Sequence, residues 1–260
     1  MFVDLLERGI AASGGRLCVG LDPHPSLVEG RFGRFAADVD RFLRWVIEET
    51  FPHTCAYKPN AAFFEALGPD GLDLLAQTTR ALREAGRATI LDAKRGDIAS
   101  SAARYAAAAV DVIGADAITV VPYMGTDAVR PFLDAGLFTF VLGLPSNPSA
   151  ESIACHGDPP ICARVAAMAQ DLETEYPGQV GLVVGATRSE WVSGVHVAAP
   201  RLPWLVPGIG AQGGDIDAFR NAAGEHHPMI VSASRSILGD PEPRAAAATL
   251  KARIGGGEGR

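Results

Sequence analysis

Short apolar runs recur along the chain at 17–21, 54–57, 88–91, 117–121, 138–142, 181–184, 204–206 and 229–231. Several are rich in Val, Ile and Leu without polar alternation, which suits parallel strands covered on both faces. Amphipathic stretches separate them. Residues 36–49 place Val39, Phe42, Leu43, Val46 and Ile47 on one side of a helix, and 71–84 repeat Leu72, Leu75 and Leu82. Residues 100–112 are Ala-rich, and 160–175 open on a proline, tolerated in a first turn because its missing N–H has no helical partner there. Eight strand-helix units in 260 residues fit a closed (β/α)8 barrel, the TIM-barrel class of α/β fold, better than an open doubly wound sheet. The helix between the sixth and seventh runs, around 189–195, looks short. Residues 1–13 read as an extra N-terminal helix at the barrel floor. No linker interrupts the pattern, so one domain is expected over 1–260, with 255–260 as a frayed Gly-rich tail.

Composition narrows the function classes. The chain is 48% hydrophobic and 20% charged, as expected of a compact enzyme-like domain. A net charge of -7 and the absence of a face-long Lys/Arg run argue against nucleic acid as a partner. No apolar stretch approaches the ~18 residues of a membrane span, and no basic-then-apolar leader is evident, so a soluble, cytoplasmic protein is expected. Cys18 and Cys55 sit in apolar runs and read as small buried hydrophobes. Cys155-His156-Gly157-Asp158, with Cys162 nearby, lacks the ligand spacing of a metal centre, so no metal is expected. His226-His227-Pro228 reads as solvated loop. Arg31, Arg34, Arg41 and Arg44 read as an exposed helix face, and Trp191 and Trp204 as packing residues.

A barrel delivers functional groups at the C-terminal ends of its strands. There the first run ends in Leu21-Asp22-Pro23, the second in Tyr57-Lys58-Pro59-Asn60, and the third in Leu91-Asp92-Ala93-Lys94-Arg95-Gly96-Asp97. Asp92 and Lys94 are two apart, which puts both side chains on one face of an extended segment. Asp22, Lys58, Asp92, Lys94 and Asp97 would alternate anions with cations, each keeping its neighbour charged. A lysine kept protonated in this way suits proton donation to a carbanion. A salt-bridge network at the barrel mouth is the plainer alternative. At the seventh and eighth ends stand Pro207-Gly208-Ile209-Gly210-Ala211-Gln212-Gly213-Gly214-Asp215 and Ser232-Ala233-Ser234-Arg235-Ser236. Glycines let backbone N–H groups approach an anion, and Arg235 offers a forked donor pair, so a phosphate site is expected.

Leu91-Asp92-Ala93-Lys94-Arg95-Gly96-Asp97-Ile98 resembles the motif of orotidine 5'-monophosphate decarboxylases. Leu21-Asp22, Tyr57-Lys58-Pro59-Asn60, Ser146-Asn147-Pro148, Gly181-Leu182-Val183-Val184-Gly185-Ala186-Thr187 and the 207–215 run are similar to the bacterial branch of that family. The resemblance implies decarboxylation of orotidine 5'-monophosphate to UMP without a metal or organic cofactor. It implies that Lys94 protonates C6 of the pyrimidine, that Asp92 lies against the departing carboxylate, that Lys58 bridges Asp92 and the ribose, and that Asp22 holds a ribose hydroxyl. It implies a homodimer in which Asp97 enters the neighbouring subunit's site, followed by Ile98 and Ser101. Ser146 or Asn147 would read the pyrimidine edge, and Gln212 and Arg235 would hold the phosphate. The chain departs from the family pattern at Ser101, where Thr is usual, and at Leu144-Pro145, where a basic residue and Thr are common. Two other readings compete: a Mg²⁺-dependent relative acting on a sugar phosphate, such as a keto-gulonate phosphate decarboxylase or hexulose phosphate synthase, and a phosphate-binding barrel without catalysis. Lys94-Arg95-Gly96 disfavours the first, whose motif carries Lys-Thr or a similar pair. Retention of Lys58, Asp92, Lys94 and Asp97 together disfavours the second.

Overall fold

The computed structural model describes residues 2–209, 215–224 and 227–255. Among them, eight parallel strands close in sequence order into a barrel: β1 (Leu17–Leu21), β2 (Ala56–Pro59), β3 (Ala88–Arg95), β4 (Ala117–Val120), β5 (Phe138–Leu144), β6 (Val180–Val184), β7 (Trp204–Pro207) and β8 (Met229–Ala233). Every apolar run of the sequence is one of these strands. The boundaries moved toward the chemistry: β2 starts two residues later than its run, and β3 continues past Leu91 to Arg95. The surrounding helices are α1 (Phe2–Ser13), α2 (Pro25–Phe32), α3 (Phe35–Thr50), α4 (Ala61–Glu65), α5 (Pro69–Glu84), α6 (Ala99–Ala107), α7 (Arg130–Asp134), α8 (Glu151–Ala154), α9 (Ile161–Glu175), α10 (Ser189–Ala198), α11 (Ile216–Ala223), α12 (Arg235–Leu238) and α13 (Pro243–Gly255). The extra N-terminal helix is present as α1. The link expected to be short carries the ten-residue α10.

By backbone contacts the chain groups into two compact units. One holds the N-terminal part through Ala93, Asp111–Asp116 and the part from Ala233 onward; the other holds Lys94–Val110 and Ala117–Ser232. In the first, β1 and β2 are in register through Cys18↔Ala56 and Gly20↔Lys58, and β2 meets β3 at Ala56↔Ala88. The apolar stripe of α3 packs inward, with Phe42, Leu43 and Val46 at most 1% exposed. In the second, β4 through β8 pair side by side, from Ala117↔Phe138 to Pro207↔Ser232. The five residues of β6 are all buried, as expected of a parallel strand covered on both faces.

His227 corrects the sequence reading. It is 8% exposed rather than solvated, its ring centroid 3.8 Å from that of Trp204, and its Nδ1 3.2 Å from Nδ1 of His196. The wholly buried indole of Trp204 offers a flat apolar face, and the imidazole covers it. Burial, reinforced by the neighbouring His196, lowers the His227 pKa to about 4. The four arginines of the 31–44 stretch are exposed as expected, with Arg44 paired to Asp40 at 2.9 Å and Arg31 stacked 3.9 Å over Trp45.

Candidate active site

Lys58 and Asp92 meet at the C-terminal ends of β2 and β3. Side chains alternate along a strand, so Tyr57 and Lys58 leave β2 on opposite faces. Tyr57 is fully buried with its hydroxyl 2.9 Å from Thr50 of α3, which fixes the strand against the helix layer. Lys58 Nζ lies 2.5 Å from Asp92 Oδ2, and the two side chains are 8% and 10% exposed. An isolated parallel bridge between Asn60 and Asp92 carries the β2–β3 pairing to this point. The Asn60 side chain caps α4 by accepting from the Ala62 N–H at 3.2 Å, so this member of the Tyr-Lys-Pro-Asn run is structural. Burial alone would pull the Lys58 ammonium toward neutrality. The carboxylates of Asp92 and Asp22 outweigh it and hold the pKa above the ordinary lysine value.

The same unit presents polar atoms with nothing to bond. Asp22 Oδ1, Ser234 Oγ and Ser236 Oγ are buried and lack hydrogen-bond partners among the described residues. Unsatisfied buried polar atoms are rare in native proteins, and each calls for a partner such as water, an ion or a ligand. Ser234 sits against β1 so closely that a Cβ on Gly20 would stand 2.8 Å from its own Cβ, which is why glycine precedes Leu21-Asp22. Arg235, between the two serines, is exposed at the start of α12.

In the second unit the chain turns sharply after Ala93. Lys94 has φ 46° and Ala99 φ 49°, left-handed values that cost a non-glycine residue about 1–3 kcal/mol. The regular extended alternation expected through Lys94 therefore ends at it. Asp92 is buried and Lys94 exposed. The Lys94 N–H donates to Thr119 Oγ1 at 3.0 Å, and the Val121 N–H donates to Arg95 O at 2.7 Å. Asp97 Oδ1 accepts from the Ile98 N–H at 2.8 Å, and α6 starts one residue later. Ile98 and Ser101 are exposed. Strained backbone concentrates where function requires a side chain in one particular direction.

Ser146 and Asn147 follow β5 and are tied to the segment after β6. Thr187 Oγ1 donates to Ser146 O at 2.8 Å, and Arg188 donates to Pro148 O at 2.6 Å while pairing with Glu151 at 2.7 Å. A Cβ on Gly185 would lie 2.8 Å from both the N and Cα of Ser146, so only glycine permits this approach. Asn147 is bonded within its own loop, Nδ2 to Ser149 Oγ at 2.9 Å. Gln212 lies outside the described residues. Asp215, at the end of the Gly-rich run, caps α11 by accepting from the Asp217 and Ala218 N–H groups at 2.9 and 3.3 Å.

Thr119, Thr187 and Arg188, which bond to the backbone of the candidate segments, and Ser236, with its unsatisfied hydroxyl, were not singled out by the sequence reading. Thr119 and Arg188 sit outside the motif residues, and a hydroxyl on an apolar strand gives no periodic signal. Ser236 carried a clue, since serines flank Arg235 on both sides.

Residues 15–250 match the family model described as Orotidine 5'-phosphate decarboxylase / HUMPS family. A curated Orotidine 5'-phosphate decarboxylase of Herpetosiphon aurantiacus is 40% identical over 243 residues, spanning 92% of this chain and 89% of that protein. One from Roseiflexus castenholzii is 40% identical over 243 residues, spanning 91% and 88%. The structure of Leishmania donovani OMP decarboxylase aligns with a TM-score of 0.86 at 38% identity, covering 98% of each chain.

Proposed function

The chain belongs to the orotidine 5'-phosphate decarboxylase / HUMPS family, and from that premise we propose that it converts orotidine 5'-monophosphate to UMP and carbon dioxide in pyrimidine nucleotide synthesis. The observation that carries the reading is the buried Lys58–Asp92 pair beside Asp22. It places a carboxylate, paired with an ammonium away from water, at the end of β3, where a substrate carboxylate meets repulsion that its loss as carbon dioxide relieves.

In this reading the bond from C6 to the carboxyl carbon breaks, its electron pair stays on C6, and carbon dioxide departs. Lys94 then gives an ammonium proton to C6 and is reprotonated from solvent. Asp92 lies against the departing group, and Lys58 holds Asp92 in place and reaches the ribose. Asp22 accepts from a ribose hydroxyl, consistent with its unsatisfied Oδ1. Arg235 and Gln212 hold the phosphate, with Ser234 and Ser236 as further hydroxyl donors. Ser146 or Asn147 reads the pyrimidine edge. Contacts to phosphate and ribose, distant from the reacting carbon, provide binding energy that orders the charged groups for the transition state.

A homodimer with Asp97 acting across the interface is part of the proposal. Ile98, just before α6, and Tyr105 within it are 47% and 41% exposed, and Tyr123 and Met124 after β4 are 86% and 52% exposed. Exposed apolar side chains of this size fit coverage by a second copy. Ile98 and Ser101 would then follow Asp97 into the partner's site.

The reading is tested by following orotidine 5'-monophosphate by ultraviolet absorbance with purified protein in EDTA. Conversion to UMP supports it. No conversion, together with turnover of a sugar phosphate on adding Mg²⁺, assigns the chain to a metal-dependent relative instead.

A further inference from the structure

We propose that Thr119 is a positioning residue for the decarboxylation, its hydroxyl holding the backbone of Lys94 in the left-handed conformation that aims the proton donor. The inference rests on the reading of Lys94 as that donor. In a parallel ladder each N–H goes to a carbonyl of the neighbouring strand, as Val121 N–H does to Arg95 O at 2.7 Å. The Lys94 N–H instead donates to Thr119 Oγ1 at 3.0 Å. At Lys94 φ is 46°, a region that pushes Cβ of an L-residue against the following carbonyl. Such a conformation persists only where surrounding interactions over-determine it.

Thr119 has the properties such a holder needs. It is 1% exposed, so solvent does not substitute for its hydroxyl, and a β-branched side chain on a strand is stiff about χ1. The Lys94 side chain leaves the chain along the Cα–Cβ direction that this backbone conformation sets. Relaxation of Lys94 to ordinary extended values would swing its Cα–Cβ bond and carry the ammonium away from C6. Substrate binding would be little affected, because phosphate and ribose are held by other residues.

The test compares Thr119→Val, which keeps the shape and removes the hydroxyl, with Thr119→Ser, which keeps the hydroxyl, and with Lys94→Ala. Orotidine 5'-monophosphate turnover is measured for each, alongside thermal melting. Thr119→Val is expected to lower kcat by about 10- to 100-fold, the scale of an ångström-sized misplacement, with KM nearly unchanged. Thr119→Ser is expected to restore most of the rate. A Thr119→Val enzyme with wild-type kcat overturns the proposal, as does a Thr119→Ser enzyme as impaired as Thr119→Val. Should Thr119→Val fail to melt cooperatively, Thr119→Ala is judged by the same criteria. Turnover retained in Lys94→Ala removes the proton-donor reading itself. Loss of turnover in Lys94→Ala beside a fully active Thr119→Val removes the positioning role alone.

Discussion

Lys58 Nζ stands 2.5 Å from Asp92 Oδ2 with neither side chain more than 10% exposed. A cation buried to that degree is tolerated only because its partners hold it charged, here Asp92 with Asp22 behind it. Lys58→Ala would leave two carboxylates without their cation. It is expected to lower stability by about 3–5 kcal/mol, read as a smaller urea midpoint at unchanged slope. The Lys58 pKa is raised in the folded state, so its contribution is complete at neutral pH. That contribution stays whole up to the unfolded value near ~10.4 and is lost only as pH rises through the folded value. An unchanged midpoint at pH 7 would show that the pair contributes nothing to the fold.

His227 behaves in the opposite sense. Its folded pKa is lowered to about 4 by burial and by His196, so between that value and 6.5 the unfolded chain binds the proton more readily. Stability from this site therefore falls as pH drops from 6.5 toward 4, by an amount on the order of 3 kcal/mol at the lower end. His227→Phe keeps a ring against Trp204 and removes the titration. Melting curves across that window are expected to be flatter for the variant than for the wild type. Parallel curves would refute the assignment.

Gly185→Ala is expected to disturb substrate binding through the backbone. The added Cβ would press on Ser146 at 2.8 Å, where neither partner is a flexible side chain, and shift the segment that Thr187 and Arg188 anchor. A rise in KM for orotidine 5'-monophosphate is expected. Gly30→Ala on α2 is the control, since its Cβ meets nothing within 4 Å and helix propensity favours the change by roughly 0.5–1 kcal/mol. Equal KM values for the two variants would contradict the Ser146 assignment.

The barrel was legible because buried parallel strands are written as unbroken apolar runs, and all eight appear where the runs lie. The pairing of Lys58 with Asp92 was legible too, since charged residues at consecutive strand ends converge on one rim. The turn at Lys94 was not. Its left-handed backbone comes with a bond to Thr119, 25 residues downstream, and no local preference of Lys or Ala announces it. His227 was misread for a related reason: a polar His-His-Pro string does not reveal that a tryptophan face from the neighbouring strand will cover it. Asn60 and Asp215 show the converse, motif residues whose side chains cap helices.

The central claim is that Lys94 supplies the proton to C6, and the decarboxylation rate of Lys94→Ala tests it most directly. The account predicts that this variant folds, binds UMP with an affinity close to that of the wild type, and turns over orotidine 5'-monophosphate at least about a hundredfold more slowly, the lower range for loss of a positioned proton donor. A Lys94→Ala enzyme that binds UMP and decarboxylates at the wild-type rate would contradict it.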